Sequence, residues 1–583
     1  MTALAEAIAE LRTNERQWEA FEAHGHCAVL APPGSGKTKL LTTKLADTLV
    51  RDLVRAPRGA ACITMTNEAA LELRRRVRAL GVDRRPNLFV GTVHAFALGR
   101  IVAPFAASAG RHDLAASRLG SDHEIEEAFD VAFNDLDFPP HERPQVKTTT
   151  AKARQRLDLS GDGMLGGEPI AEMARRFQAE LATRRIYDFQ DLVRHAVELI
   201  EDHAWVGRVL AATFPRVYVD EYQDLAPGLD RIVRGITLRT DSDSVLFAVG
   251  DPDQAIYAFS GAHPRLLRDL AQEPQVLAVS LEHNYRCAQG IIDVSLRALG
   301  ETRTITGHRP GGSVSVHAVT GGEDGQTAMA LELVLDAINR DVAYEQIAVL
   351  APWGQDRDRC ADSLRTSGIP VFARTEEHWR TTSLTMLLEA MAAWACHSGQ
   401  AGIELPELLD TFSALVRGAR DHVVLKSVTR SMLDGNPTSP ARDFVEAVTA
   451  AALGDYAREP SSGEDAKELR KMRHALSVDG AGAAMTLREV GDRARAPGRV
   501  MAATIHGAKG LEFDVVIMVG ADHAGLPGFT PTDEDVAEAR RKFYVTITRA
   551  RDEVHLVYTD CRISRNGNLY AIRPSPFIAE LNL

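Results

Sequence analysis

The sequence has no C-x-x-C pair, although it carries six cysteines, at 27, 62, 287, 360, 396 and 561. Their wide separation argues against a disulfide framework or a zinc site and fits a reducing, cytoplasmic setting. No uninterrupted apolar stretch is long enough to cross a bilayer, so no membrane partner is expected. The opening "MTALAEAIAELR" lacks a basic leader and sets acids inside its apolar periodicity, which reads as an amphipathic helix and not an export signal. Positive charge is also short: 67 basic against 80 acidic residues leave a net −13. Any nucleic acid must then be held by a local basic or aromatic groove, not by a globally cationic surface. Internal repeats and low-complexity tails are missing too. What is present is 583 residues at 45% hydrophobic content, enough for sizeable cores, and a length suited to roughly three to five domains.

Chemistry concentrates first in "CAVLAPPGSGKTKLLTTKLADTL", residues 27 to 49. An apolar strand meets a Pro/Gly loop and then a helical pattern, the setting a phosphate-binding loop requires. In the loop Pro33-Gly34-Ser35-Gly36 the two glycines let backbone N–H groups turn inward on an anion, Lys37 reaches terminal phosphates, and Thr38 offers a hydroxyl to Mg²⁺, with Lys39 following. The first glycine of the strict G-x-x-x-x-G-K-T pattern is replaced by Ala31. About 180 residues on, "RVYVDEYQDLAP" ends a Val/Tyr/Val strand in Asp220 and Glu221. Taken alone, the pair also has a blander reading, an acidic solvated loop. Joined to the cradle, Asp220 is placed to hold Mg²⁺ and Glu221 to polarise an attacking water. The combination predicts an enzyme that hydrolyses a nucleoside triphosphate.

Further segments follow in order: "TNERQWEAF", "ACITMTNEAALELRRRV", "FVGTVHAFAL", "YDFQDLV", "LFAVGDPDQAIYAFSGA", "LEHNYRCAQGII", "VMAATIHGAKGLEFDVVIMVG" and "ARRKFYVTITRARDEVHLV". With the cradle and acid pair they resemble the superfamily 1 helicases of the UvrD/Rep/PcrA type, along nearly the whole chain. The resemblance implies ATP and Mg²⁺ as cofactors, with Gln17 reading adenine, Tyr285 stacking on it and Glu512 accepting a ribose hydroxyl. It places Gln254 as γ-phosphate sensor, and Arg286 and Arg549 as guanidinium groups on the transferring phosphoryl, a charge they suit. If these arginines belong to a second lobe, nucleotide closes the lobes and hydrolysis releases them. Arg286 or Arg549 taken singly also reads as a surface salt bridge.

The implied DNA contacts are Thr66, Asn67, Thr92, His94, Tyr257, Phe259, Thr504 and His506. The threonines and their neighbours sit at strand-end turns suited to phosphates; as isolated residues they are more often helix caps. Tyr257 and Phe259 are candidate stacking platforms or core aromatics. Arg74, Arg75, Arg76 and Arg78 read as a solvated helix face. Several positions depart from the family pattern: Met65 replaces a phenylalanine, Phe259-Ser260 replaces a Trp-Arg step, and "LAPWGQDRDR" offers Trp353, Gln355 and Arg357 where Arg and Asn are usual. "CRISRNGNLYAIRPSPFIAEL" resembles a strand-separating hairpin with Asn566-Gly567 as a type I′ turn and no aromatic at its tip.

The expected architecture is α/β: two RecA-like P-loop NTPase lobes with parallel sheets, each carrying a mostly helical insertion. The first lobe takes 1–96 and 186–280 with an insertion at 97–185. The second takes 281–376 and 498–583 with an insertion at 377–497, short for the family. No residues beyond the last helix are left for a nuclease module. The expected activity is an ATP-dependent, single-stranded DNA translocase and helicase, moving 3′→5′, acting on single strands and junctions in repair, replication restart or mobile-element and defence functions. The alternative is a DNA-stimulated ATPase subunit that senses DNA and recruits a partner nuclease or repair factor without efficient unwinding.

Overall fold

The computed structural model describes residues 2–51, 54–82, 85, 87–155, 157, 167–256, 263, 265–373, 378–380, 382–396, 404–416, 422–454, 463–494, 498–563 and 568–583. The chain forms two compact units, Met1–Pro32 with Gly36–Leu281, and Pro33–Ser35 with Glu282–Leu583.

In the first unit, six strands form one sheet: β1 (His26–Leu30), β2 (Ala60–Thr64), β3 (Leu88–Thr92), β4 (Arg216–Val219), β5 (Val245–Gly250) and β6 (Val276–Ser280). Their order is β3-β2-β4-β5-β1-β6 and every pairing is parallel. Central strands of such sheets are buried on both faces and so read as continuous apolar runs. "AACIT" and "VLFAVG" are runs of this kind, and alternate residues serve opposite faces. Ala28, Ile63, Val217 and Ala248 enter one core with Leu192, Val197, Ile232 and Ile236 of two helices. Cys27, Val29, Tyr218 and Phe247 enter the other with Leu40, Leu41 and Leu45 of the helix Lys37–Val50. Ala97, Ile101, Val102 and Ala106 belong to the first of these cores. Helices Asp122–Asn134, Arg143–Gln155 and Gly167–Thr183 enclose a separate cluster around Phe129, Phe133, Met173 and Phe177. The opening segment is a helix, Ala3–Leu11, that buries Leu4 and Leu11.

The second unit has its own six-stranded parallel sheet: β7 (Ser313–Val319), β8 (Ile347–Ala351), β9 (Val371–Ala373), β10 (Val500–Thr504), β11 (Phe513–Met518) and β12 (Ala550–Thr559), ordered β7-β12-β11-β8-β10-β9. Between β9 and β10 the chain builds a helical cluster around Leu388, Met391, Phe412, Met432, Leu469 and Leu487. After β12, Cys561–Ile563 pairs antiparallel with Leu569–Ala571. These are the arms of the expected hairpin, and its turn at Asn566-Gly567 lies outside the described residues. All six cysteines are thiols. Among the described residues no helix is long and apolar enough to cross a membrane. The expected α/β class with two parallel sheets is what the chain adopts.

Candidate nucleotide and nucleic-acid site

Because the first sheet is wholly parallel, every strand delivers its following loop to the same edge, where open α/β sheets bind ligands. At the end of β1, Gly34 and Gly36 take left-handed backbone angles, φ 71° and 81°. Gly36 is also the N-cap of Lys37–Val50, and a Cβ there would fall 2.9 Å from Gln17 Nε2. Ala31 is absent from the positive-φ positions and donates its N–H to Gly250 O at 2.8 Å, so the missing first glycine is not required by this loop's backbone. Gln17 is 5% exposed, on a helix capped by Asn14, whose Oδ1 accepts from the Gln17 N–H at 3.1 Å. Lys44 anchors the other end of that helix, donating to Ala23 O at 2.8 Å and to Phe21 O. Lys39 pairs with Glu10. Thr38 is half-buried one residue into the phosphate-loop helix.

At the end of β4, Lys37 Nζ lies 3.0 Å from Glu221 Oε2. Asp220 is 3% exposed, donates its own N–H to Ile63 O at 2.9 Å and accepts the Glu221 N–H at 3.2 Å. Burial, and next the Glu221 carboxylate, push Asp220 up to about 7 although Lys37 opposes the shift. Glu221 itself sits in the left-handed region, φ 54° and ψ 47°, a conformation that costs a residue with a side chain about 1–3 kcal/mol and is typically kept where function requires it.

Gln223 is a member of this site that the sequence did not single out. Wholly buried, it donates Nε2 to Glu221 Oε2 at 2.6 Å and accepts the Asp251 N–H on Oε1 at 2.9 Å, so it ties the loop after β4 to the loop after β5. Gly250 has to be glycine, since a Cβ would lie 2.3 Å from that Oε1. Across the same loop Gln254, 2% exposed, donates to Asp251 Oδ2 at 2.7 Å. The only signal in the sequence for Gln223 is its position two residues past Glu221.

The candidate DNA residues of the first unit lie on this same edge. Thr66 caps the helix Asn67–Ala79 and Thr92 caps the helix Val93–Phe96, accepting from Ala69 N at 3.1 Å and Ala95 N at 3.2 Å. Asn67 is half-buried as the first residue of its helix. His94 packs edge-on against Phe189 at 5.4 Å, and burial pushes its pKa down to about 4. Arg75, Arg76 and Arg78 are solvated as expected; Arg74 is not, because it turns back to donate to Val90 O. Tyr257 and Phe259 lie outside the described residues.

In the second unit, Arg286 Nε donates to Glu512 Oε2 at 2.6 Å and Arg551 Nη2 to Glu512 Oε1 at 2.6 Å. Burial raises the Glu512 pKa, but the two guanidinium groups outweigh it and hold the carboxyl below its usual range. Arg549 is 1% exposed and donates to Val545 O at 3.0 Å and Leu511 O at 3.2 Å, so it is no surface residue. Tyr285 is 42% exposed, with His283 against its ring at 4.4 Å. Thr504 ends β10 and accepts the Gly507 N–H at 3.2 Å, while His506 is half-buried in the loop that follows.

A glycine cradle, a lysine at a helix start and two acids at a strand end on one parallel edge define a P-loop nucleoside triphosphatase. Comparison with known sequences narrows the class. The UvrD/REP helicase N-terminal domain matches residues 13–275 and the UvrD-like helicase C-terminal domain matches residues 465–560. The chain belongs to the UvrD/Rep helicase family and is an ATP-hydrolysing enzyme with RecA-like lobes. It is 27% identical to the ATP-dependent DNA helicase UvrD2 of Mycobacterium tuberculosis, over 97% of this chain and 81% of that protein. It is 26% identical to the ATP-dependent DNA helicase PcrA of Leuconostoc citreum (98% and 84% covered) and 25% to the ATP-dependent DNA helicase Rep of Escherichia coli (98% and 94%).

Proposed function

We propose that the protein is an ATP-driven motor that moves 3′→5′ on single-stranded DNA and separates duplex ahead of it. It would act in the cytoplasm, on single strands and junctions, in repair, replication restart or mobile-element defence. One observation carries this reading: candidate nucleotide and DNA contacts leave neighbouring strands of one sheet. β2, which leads to Thr66, is paired with β4, which leads to Asp220, and the Asp220 N–H bonds to Ile63 O at 2.9 Å. A shift at the phosphates is then passed directly to a loop suited to a DNA phosphate. Within the proposal, Lys37 binds the terminal phosphates, Gln254 senses the γ-phosphate, Glu221 takes a proton from water, and Arg286 and Arg549 act on the transferring phosphoryl.

Thr38 and Asp220 are the residues that would hold Mg²⁺. No group of three or more His, Cys, Asp or Glu that could cage a metal occurs among the described residues. Mg²⁺ binds through one or two carboxylates plus substrate phosphates and keeps its waters, which one carboxylate and one hydroxyl would suit. Burial, and next the Glu221 carboxylate, raise the Asp220 pKa, and a divalent cation would offset both. When bound, the ion supplies charge neutralisation on the phosphates.

This shift gives a pH prediction. An acid whose folded pKa lies above its unfolded value binds its proton more tightly when folded, so the stability it contributes falls as pH rises between the two. Here the window runs from the ordinary 3.8 to about 7. In magnesium-free, nucleotide-free protein, Asp220→Asn should therefore gain melting temperature relative to wild type between pH 5 and pH 8. A Tm difference that stays flat with pH rejects the shift.

The function is tested by ATP hydrolysis with and without single-stranded DNA, beside strand displacement on a 3′-tailed duplex. The motor reading expects DNA-stimulated hydrolysis and displacement of the 3′-tailed but not the 5′-tailed substrate. Stimulated hydrolysis with no displacement favours the second reading, a DNA-sensing ATPase that recruits a nuclease. The sequence Arg565-Asn566-Gly567, with no aromatic at the hairpin tip, is the observation on its side. Hydrolysis indifferent to DNA rejects both.

A further inference from the structure

On the carboxyl edge of the second sheet, β8 ends at Ala351 and the chain passes through Pro352 to Trp353, which precedes the helix Gly354–Thr366. Trp353 is 40% exposed, unusual for the largest apolar side chain. Its ring is nonetheless fixed. Arg562 Cζ lies 4.6 Å from the indole centroid, and Arg562 is 4% exposed. Two carboxylates pin that guanidinium: Asp522 accepts from Nε at 3.1 Å and Asp356 from Nη1 at 3.0 Å. Burying an ion cluster is a poor source of stability, and its attested return is a unique geometry. Here the geometry is that of the indole lying on the trapped cation. The loop after β11 closes on the same spot, where a Cβ on Gly520 (φ 69°) would lie 2.9 Å from Arg562 Nη2 and 3.1 Å from Pro352 Cδ.

The placement is as informative as the rigidity. β8 lies between β11 and β10, so Trp353 emerges beside the loop that carries Thr504 and His506. Arg562 belongs to the strand Cys561–Ile563, the first arm of the hairpin. The family's usual polar residues are missing from this turn, and an aromatic face stands there instead.

We propose that Trp353 is a stacking platform for one base of single-stranded DNA, with Arg562 as the positioning residue that holds the ring at the base of the hairpin. The assignment rests on the reading of the chain as a single-strand motor. An aromatic platform takes any base through its π-face, and it compensates for the smaller platform that Phe259-Ser260 implies. The competing role is a lid that merely covers the Asp356–Arg562–Asp522 cluster.

The two roles part on base dependence. Binding of the full chain to fluorescein-labelled oligo-dT and to an abasic strand of equal length is measured by anisotropy. Trp353→Ala should weaken oligo-dT binding by about 5- to 100-fold, the loss of one stacked base. Trp353→Phe should stay within about threefold of wild type, since a ring remains. Abasic-strand affinity should be unchanged in both, as should the slope of log Kd against log salt, because no phosphate contact is removed. Trp353→Ala that binds oligo-dT like wild type, or loses equally on both strands, overturns the platform. Wild-type protein that binds neither strand overturns the motor reading and the platform with it, and that result differs from either variant outcome.

Discussion

Glu221→Gln is expected to hold ATP and turn it over about 10²- to 10⁴-fold more slowly than wild type, the usual worth of a positioned general base. The change is close to isosteric and keeps the bonds to one of the two oxygens, while the Lys37 contact at the other, also 3.0 Å, is lost where the amide nitrogen takes its place. One amide oxygen at the Oε2 position still accepts from Gln223 Nε2, now at 2.6 Å, and from Lys37 Nζ, now at 3.0 Å. What is lost is the basic lone pair and one negative charge. The left-handed backbone at 221 supports the same reading, because strain at a strand end is retained where the side chain has to be aimed. Steady-state hydrolysis at saturating single-stranded DNA, paired with equilibrium binding of a fluorescent ATP analogue, measures both halves. Turnover within threefold of wild type sinks the base assignment; lost binding says that the charge served to hold the loop.

How far the site could be read in advance depended on sequence distance. The cradle at 31–38 and the acid pair at 220–221 are contiguous stretches whose residue types state their own chemistry, and apolar patterning is enough to set each at the end of a strand. Thr66 and Thr92 announce caps through the same local logic. The links between loops were hidden. Gln223 becomes meaningful only when β4 and β5 lie side by side. The hold of Arg286 and Arg551 on Glu512 joins residues more than 200 positions apart for Arg286, and the stacking of Arg562 on Trp353 spans a similar gap. No periodicity encodes such pairs, because sheet order makes them. Arg74 shows the same effect in miniature: a helix-face pattern says solvent, and a nearby carbonyl in the middle of the next strand captures the guanidinium.

The grip of Arg286 by Glu512 also bears on the motor cycle. A guanidinium already paired with a carboxylate at 2.6 Å is oriented before any phosphate arrives. Its partner is in turn shared with Arg551, which is tied to Asp514 at 2.9 Å on β11. If Arg286 has its proposed role, a displacement there would have a path to the second sheet through three charged side chains, and such chains of paired groups couple sites when they have two discrete arrangements.

Lys37→Ala is the change with the widest expected consequences, because Lys37, proposed to bind the terminal phosphates, also meets the acid pair. Loss of a preorganised cation at the transferring phosphoryl should lower turnover by about 10²- to 10³-fold and weaken ATP binding. A second effect needs no nucleotide. Lys37 sits 3.0 Å from each Glu221 oxygen and is among the groups that oppose the rise of Asp220. Without it, two neighbouring carboxylates face each other with less cation nearby, and the folded pKa of Asp220 rises further. The folded state then holds protons that the unfolded chain has released, so stability falls as pH climbs. Nucleotide-free Lys37→Ala should melt close to wild type at pH 5 and well below it at pH 8. The double variant Lys37→Ala with Glu221→Gln removes the repulsion and should recover most of that loss. Its turnover should be no lower than that of Lys37→Ala alone, because residues acting as one unit do not add. Melting curves of the four proteins at the two pH values, with hydrolysis rates at pH 8, test the set. Additive turnover losses, or a Lys37→Ala melting deficit independent of pH, would show that Lys37, Asp220 and Glu221 do not function as a single charge-balanced site.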